Sequence, residues 1–160
     1  MTLSPYLARI RAKVGHDVLV LPAVAVVVRD PSGRLLLVRD RHSGAWSLPA
    51  GAVEPAESPS EAAHRELREE AGIQCDRLDL VAGLGGEDFR HTYSNGDEVE
   101  YSIFVYRGLA SEAAILAPED QDEVVEARFF ERGAAPELAL PYPERLLWSA
   151  SENVQSAGTP

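Results

Sequence analysis

At 160 residues, with 45% hydrophobic and 26% charged positions, the chain has the size and composition of one globular domain, and no apolar run approaches the roughly 18 residues that span a bilayer. The formal net charge of -11, from 15 Lys and Arg against 26 Asp and Glu, opposes binding to a nucleic-acid polymer; a small anionic ligand would need local arginines, or cations held by carboxylates. The lone Cys75 excludes an internal disulfide and a thiolate zinc cage.

The first residues carry basic side chains but no apolar block with a small-residue cleavage site, so they do not read as a secretory signal, and the cytoplasm is the expected location. Ser4-Pro5 offers a cap and a first-turn proline, after which Tyr6, Leu7, Ile10 and Val14 recur at helical spacing up to Gly15. From Asp17 to Arg29 a nearly unbroken β-branched run predicts a strand buried on both faces, with Pro22 marking a bend or a second segment. Asp30-Pro31-Ser32-Gly33 is a turn, and Arg34 to Val38 returns as the second strand of a hairpin.

Arg41 to Pro49 reads as a loop interrupted by a short apolar piece. The next helix carries a full set of start and stop signals: Ser58 as cap, Pro59 at the first position, Glu61 completing a capping box, and Gly72 as the stop. Ile73 to Gly86 reads as a strand. Glu87 to Tyr93 and Glu98 to Tyr106 flank Ser94-Asn95-Gly96-Asp97, a hairpin turn. An acidic loop from Ser111 to Glu123, a strand from Val124 to Phe130 and a helix from Pro143 to Ser149 complete a single domain over residues 1–150, and 151–160 read as a polar tail.

Chemistry gathers on the central helix. Glu66, Glu69 and Glu70 stand at i, i+3 and i+4, so their carboxylates share one face. Like charges at this spacing destabilise a helix by roughly 0.2–0.5 kcal/mol per pair, which invites a counterion. Two are on offer: Arg65 and Arg68 on a solvated face, or a hard divalent cation, which takes oxygen ligands and shares its shell with phosphates.

The flanking spacing decides between them. Gly51, five residues, Glu57, seven residues, then Arg65-Glu66-Leu67, Arg68, Glu69-Glu70, Ala71 and Gly72-Ile73 together resemble the complete Nudix box. The surrounding order of strands also resembles that family. The resemblance implies an α/β fold, an α/β/α sandwich around a mixed β-sheet. It also implies hydrolysis of a nucleoside diphosphate linked to another group, with Mg²⁺ or Mn²⁺. By the same resemblance Glu69 and Glu70 are metal ligands, Glu66 is a further ligand or the base, the Gly51 carbonyl faces the metal, and Glu57 with Arg65 forms a structural ion pair. Ala50 departs from the pattern where many relatives carry a second glycine.

Relatives also use a glutamate from a later loop as ligand or base, and Glu123, just before the last strand, is the candidate in the segment Pro118 to Glu126. His16, His42, His64 and His91 are scattered and read as surface or structural. Trp46, Arg90 and Tyr93 combine aromatic faces with positive charge in segments expected to border the site, and are the candidate substrate-binding residues, although Trp46 and the Tyr93–Tyr101 hairpin also fit plain packing. Substrate choice lies outside the box, so sugar nucleotides, dinucleotides, ADP-ribose, oxidised nucleoside triphosphates and inositol pyrophosphates all remain open. The expected partner is a small nucleotide-like molecule, with no nucleic-acid polymer and no membrane, and the family's habit implies a homodimer. The competing reading is a noncatalytic Nudix-fold module that binds a nucleotide; the complete set of carboxylates argues against it.

Overall fold

A computed structural model describes residues 4–93 and 95–149; Ser94 of the predicted turn and the tail from 151 lie outside the described residues. Helix α1 (Pro5–Val14) starts at Ser4, whose Oγ accepts the Leu7 amide at 3.3 Å, and ends at Gly15. Eight strands then make one sheet: β1 (Leu19–Arg29), β2 (Leu35–Asp40), β3 (Trp46–Ser47), β4 (Ala50–Ala52), β5 (Asp79–Leu84), β6 (Arg90–Thr92), β7 (Glu98–Leu109) and β8 (Val124–Phe130). Helix α2 (Pro59–Ala71) follows β4, and the short α3 (Glu144–Trp148) closes the described chain.

The sheet is mixed. β1 runs parallel to β7 along its whole length, from Leu19 opposite Val99 to Arg29 opposite Leu109, while the remaining pairings are antiparallel. The spatial order is β3-β2-β1-β7-β5, with β4 beside β1, β6 beside β7 and β8 beside β2. β1 explains its own unbroken apolar run. Ala23, Ala25 and Val27 enter the core on one face, and Val24, Val26 and Val28 enter the core on the other, where Ala62, Ala63, Leu67 and Ala71 of α2 meet them. Leu147 and Trp148 of α3 cover the first face, which gives the α/β/α layering.

Three local expectations change. Pro22 neither bends nor splits β1: its carbonyl accepts the Val53 amide at 3.0 Å, but it has no reciprocal donor, and the β4 ladder stops at the next pair, Ala23 with Ala52. The predicted β1–β2 hairpin is only a corner, paired at Arg29 and Leu35, after which β2 leaves to pair with β8. Asp30 holds that corner by accepting the Arg34 amide at 2.9 Å and its guanidinium at 2.7 Å. The divergence leaves the flank of β1 free for β4, so Gly51 lies opposite Val24. The predicted strand over Ile73 to Gly86 shrinks to Asp79–Leu84, because Ile73 and Cys75 bury against the α2-side core as loop residues, and Glu87–Phe89 is a 3-10 turn rather than strand. Among the described residues no helix is long and apolar enough to cross a membrane.

Candidate active site

The box helix is fixed at both ends. Ser58 and Glu61 make the reciprocal capping box, with the Ser58 amide donating to Glu61 Oε2 at 2.8 Å, and Gly72 adopts the left-handed conformation at φ 70°. A side chain at Gly72 would also overlap the Ala117 carbonyl. Loop 111–123 docks on this end: the Ala117 amide donates to Ala71 O at 3.0 Å, and the Glu119 and Asp120 amides both donate to Glu69 O at 2.8 Å. Free carbonyls at a helix C-terminus thus recruit the acidic loop.

Asp120 spends its carboxylate on the turn, accepting the amides of Asp122 at 3.0 Å and Glu123 at 3.1 Å. Asp120 and Glu123 both line the cleft, together with Gly51, Arg65, Glu66, Glu69 and Glu70. The Glu123 backbone is tied to the residue after β2 by the Arg41 amide, 2.8 Å from Glu123 O.

Arg65 organises the loop between β4 and α2. Its Nε and Nη2 grip Glu57 at 2.8 and 3.0 Å in a two-point bond, and Nη2 also donates to Ala52 O at 3.0 Å. The Glu57 carboxyl is held below its usual range by this hydrogen bonding. The same guanidinium reaches Glu66 at 2.6 Å and Glu69 at 3.2 Å through Nη1, so it is a counterion as well as a loop tie.

Glu66 and Glu70 are both 9% exposed. Burial pushes the Glu66 carboxyl up to about 7, with Arg65 opposing and the charges of Glu69 and Glu123 adding. Burial likewise raises Glu70, reinforced by the Glu66 charge and opposed by the Ala50 amide, which donates to its Oε2 at 2.8 Å. Gly51 is required here for space rather than for dihedral freedom: a Cβ would overlap the Glu66 carboxylate, and its φ is not positive. Ala50 also sits in ordinary strand conformation; the alanine with positive φ is Ala56, at 67°.

As the side chains stand, no three His, Cys, Asp or Glu residues among the described residues converge to hold a metal ion, and Arg65 lies on Glu66 and Glu69 instead. The donor set nonetheless fits a hard divalent cation. Two buried carboxylates, a third beside them, Glu123 and the Gly51 carbonyl offer oxygen donors, and the mutual repulsion of Glu66 and Glu70 favours a positive charge between them.

A NUDIX domain model matches residues 20–148. The chain belongs to the Nudix family. An octanoyltransferase of Myxococcus xanthus is 36% identical over 103 residues, covering 62% of this chain and 26% of that protein. An RNA pyrophosphohydrolase of Pseudomonas putida is 34% identical over 65 residues, 41% of either chain. The matched segment thus spans well under half the length of these curated relatives. The crystal structure of a MutT NUDIX hydrolase from Burkholderia pseudomallei shares the fold, with a TM-score of 0.60 at 22% identity over 82% of this chain and 99% of that one.

Within the Nudix frame the three candidate substrate residues separate. Tyr93 lines a separate apolar hollow with Leu7, Leu21 and Tyr101, where its hydroxyl meets that of Tyr101. Trp46 packs edge-on to Phe130 at 4.8 Å, beneath the guanidinium groups of Arg39 and Arg128. Arg90 is paired with Glu100 at 2.9 Å on the β6–β7 ladder. None of the three lines the carboxylate cleft. Ala52 and Glu54 also line the cleft without having been candidates, and so do Ser4 and Leu7 at the start of α1. The approach of Ser4 and Leu7 depends on Arg11, which donates to Glu98 O and Asp17 O at 2.6 Å, a tertiary tie with no local sequence signal.

Proposed function

We propose that this Nudix chain is a divalent-cation-dependent hydrolase that cleaves the diphosphate linkage of a small nucleotide-like molecule by attack of water on phosphorus. The observation that carries the reading is the buried pair Glu66 and Glu70, pressed against Gly51 and Ala50 and facing Glu123, an arrangement expensive to ionise without a cation. Glu66, Glu69, Glu70 and the Gly51 carbonyl are the residues that would hold Mg²⁺ or Mn²⁺. When bound, the ion neutralises diphosphate oxygens and lowers the barrier to attack at phosphorus.

The chain's own part is positional and acid–base. The Glu57–Arg65 pair holds the loop that presents Gly51. Glu123, with Glu66 as the other candidate, accepts the proton from the attacking water, the P–O–P bridge breaks, and each product leaves with a phosphate group. Tyr93, Trp46 and Arg90 lie outside the cleft lining, so on this reading they would meet only a substrate that extends beyond the carboxylates.

A hydrolysis screen tests this. ADP-ribose, sugar nucleotides, dinucleotides, oxidised nucleoside triphosphates and inositol pyrophosphates are each incubated with purified protein and Mg²⁺, and the products identified. Turnover that ceases with chelator and yields two phosphorylated or phosphate products is expected. Tight binding across the panel with no cleavage would instead make the chain a nucleotide-binding module.

A further inference from the structure

The ladder between β2 and β8 is irregular at the end next to the cleft. Arg39 pairs with Glu126 but Asp40 pairs with Val124, so Val125 is an extra residue, a bulge. In an uninterrupted strand Val125 would share a face with Ala127 and Phe129. Instead Val124 joins them in the α2-side core, and Val125 is 39% exposed. Regular pairing therefore ends at Val124, one residue short of Glu123.

Two anchors hold the segment that carries Glu123. One is α2, where Glu69 O accepts the amides of Glu119 and Asp120 at 2.8 Å. The other is Arg41. Its amide donates to Glu123 O at 2.8 Å and its Nε donates to Gln121 O at 2.7 Å, so one residue grips the carbonyls on both sides of Asp122. A charged donor bonds a carbonyl more strongly than a neutral one, and two bonds from one residue fix direction as well as distance. Arg41 is itself held in a loop wound on Asp40. Asp40 Oδ1 accepts the His42 amide at 3.1 Å, the Ser43 amide at 2.6 Å and the Ser43 hydroxyl at 2.7 Å, and Asp40 O accepts the Gly44 amide at 2.9 Å. This second anchor thus belongs to the sheet and not to the helix that bears the proposed metal ligands. Arg41 is exposed and is not among the residues that line the cleft, so its route to the chemistry runs through the segment it holds.

We propose that Arg41 is a positioning residue, which by clamping Gln121 O and Glu123 O keeps the Glu123 carboxylate turned toward Glu66 and Glu70. The inference rests on the hydrolase reading for what Glu123 then does. Glu123 lines the cleft with both carboxylates, and its charge adds to the repulsion on each. Loss of the clamp has a sign of its own. Removing a positive charge near the cleft would by itself strengthen binding of a metal cation, whereas a misplaced Glu123 weakens it.

The test measures Mn²⁺ dissociation constants by EPR titration of the full chain without substrate, for wild type, Arg41→Met, Glu123→Gln and the double variant. Methionine keeps much of the length of the side chain and removes its donors; Arg77→Met, at an exposed arginine paired with Asp79, is the control. Arg41→Met should bind Mn²⁺ about threefold more weakly than wild type and cost nothing further in the Glu123→Gln background, and Arg77→Met should bind as wild type does. With a substrate from the screen, Arg41→Met should lower kcat about tenfold at nearly constant KM. Arg41→Lys, which can still donate to Gln121 O, should recover most of that loss. Unchanged or tighter Mn²⁺ binding by Arg41→Met, or a loss that persists in the Glu123→Gln background, would overturn the proposal. So would an unchanged kcat with a raised KM, which would make Arg41 a substrate contact. Coupled Mn²⁺ affinities without turnover by the wild type would sustain the role of Arg41 and overturn the hydrolase reading, and a wild type that binds no Mn²⁺ would overturn both.

Discussion

Gly51 and Glu66 fit together as surface and filler, and that contact leaves no room for a side chain at the glycine although its backbone conformation is ordinary. Gly51→Ala should push the Glu66 carboxylate out of place and cut kcat at least tenfold while the melting temperature moves little, since the displaced group is the end of a flexible side chain. A variant that keeps wild-type turnover would show that Glu66 does its work elsewhere. Glu66 also predicts a pH signature. Its carboxyl is raised from an ordinary 4.5 to about 7, so between these values the folded state holds a proton that the unfolded chain has lost. The resulting stability is fully present below 4.5 and is lost as pH rises through 7. Chelator-treated protein should therefore melt at a lower temperature at pH 7.5 than at pH 5, and Glu66→Gln should flatten that trend; an unchanged slope in the variant would assign the effect to another group.

At the scale of elements, α2 was legible because its signals are local. Ser58, Pro59, Glu61 and Gly72 announce both ends in the sequence, and the helix occupies Pro59–Ala71. Ser58→Ala should lower stability by about 1 kcal/mol through loss of the cap, and Leu67→Ala, at a fully buried position, by roughly 2–5 kcal/mol; denaturant unfolding measures both. The same local logic failed where tertiary partners decide. Ile73 and Cys75 alternate like a strand because both reach the α2-side core from a loop, and β2 leaves its predicted hairpin because β8 and β4 offer longer ladders. Nothing local in Ser4 or Leu7 foretold their place at the cleft. Loop 111–123 was expected to carry Glu123, and its docking on the carbonyls of Glu69 and Ala71 brings that side chain to the carboxylates. If it accepts the proton, Glu123→Gln should reduce kcat about a hundredfold, whereas the exposed Glu112→Gln should not; equal, small effects would remove Glu123 from the chemistry.

Across the whole molecule, a net charge of -11 surrounds the cleft proposed for a diphosphate, and on that proposal a cation must stand between the carboxylates and the phosphates. The curled sheet brings β4, the buried edge of α2 and the loop before β8 to one cleft. Hydrolysis in ¹⁸O-labelled water, followed by ³¹P NMR for wild type and Glu70→Gln with a substrate found in the screen, tests that proposal most directly. The account predicts that the wild type with Mg²⁺ places one ¹⁸O on phosphorus in one product, and that Glu70→Gln loses nearly all turnover while remaining folded. Label appearing in a product at an atom other than phosphate oxygen, or undiminished turnover by Glu70→Gln, would contradict it.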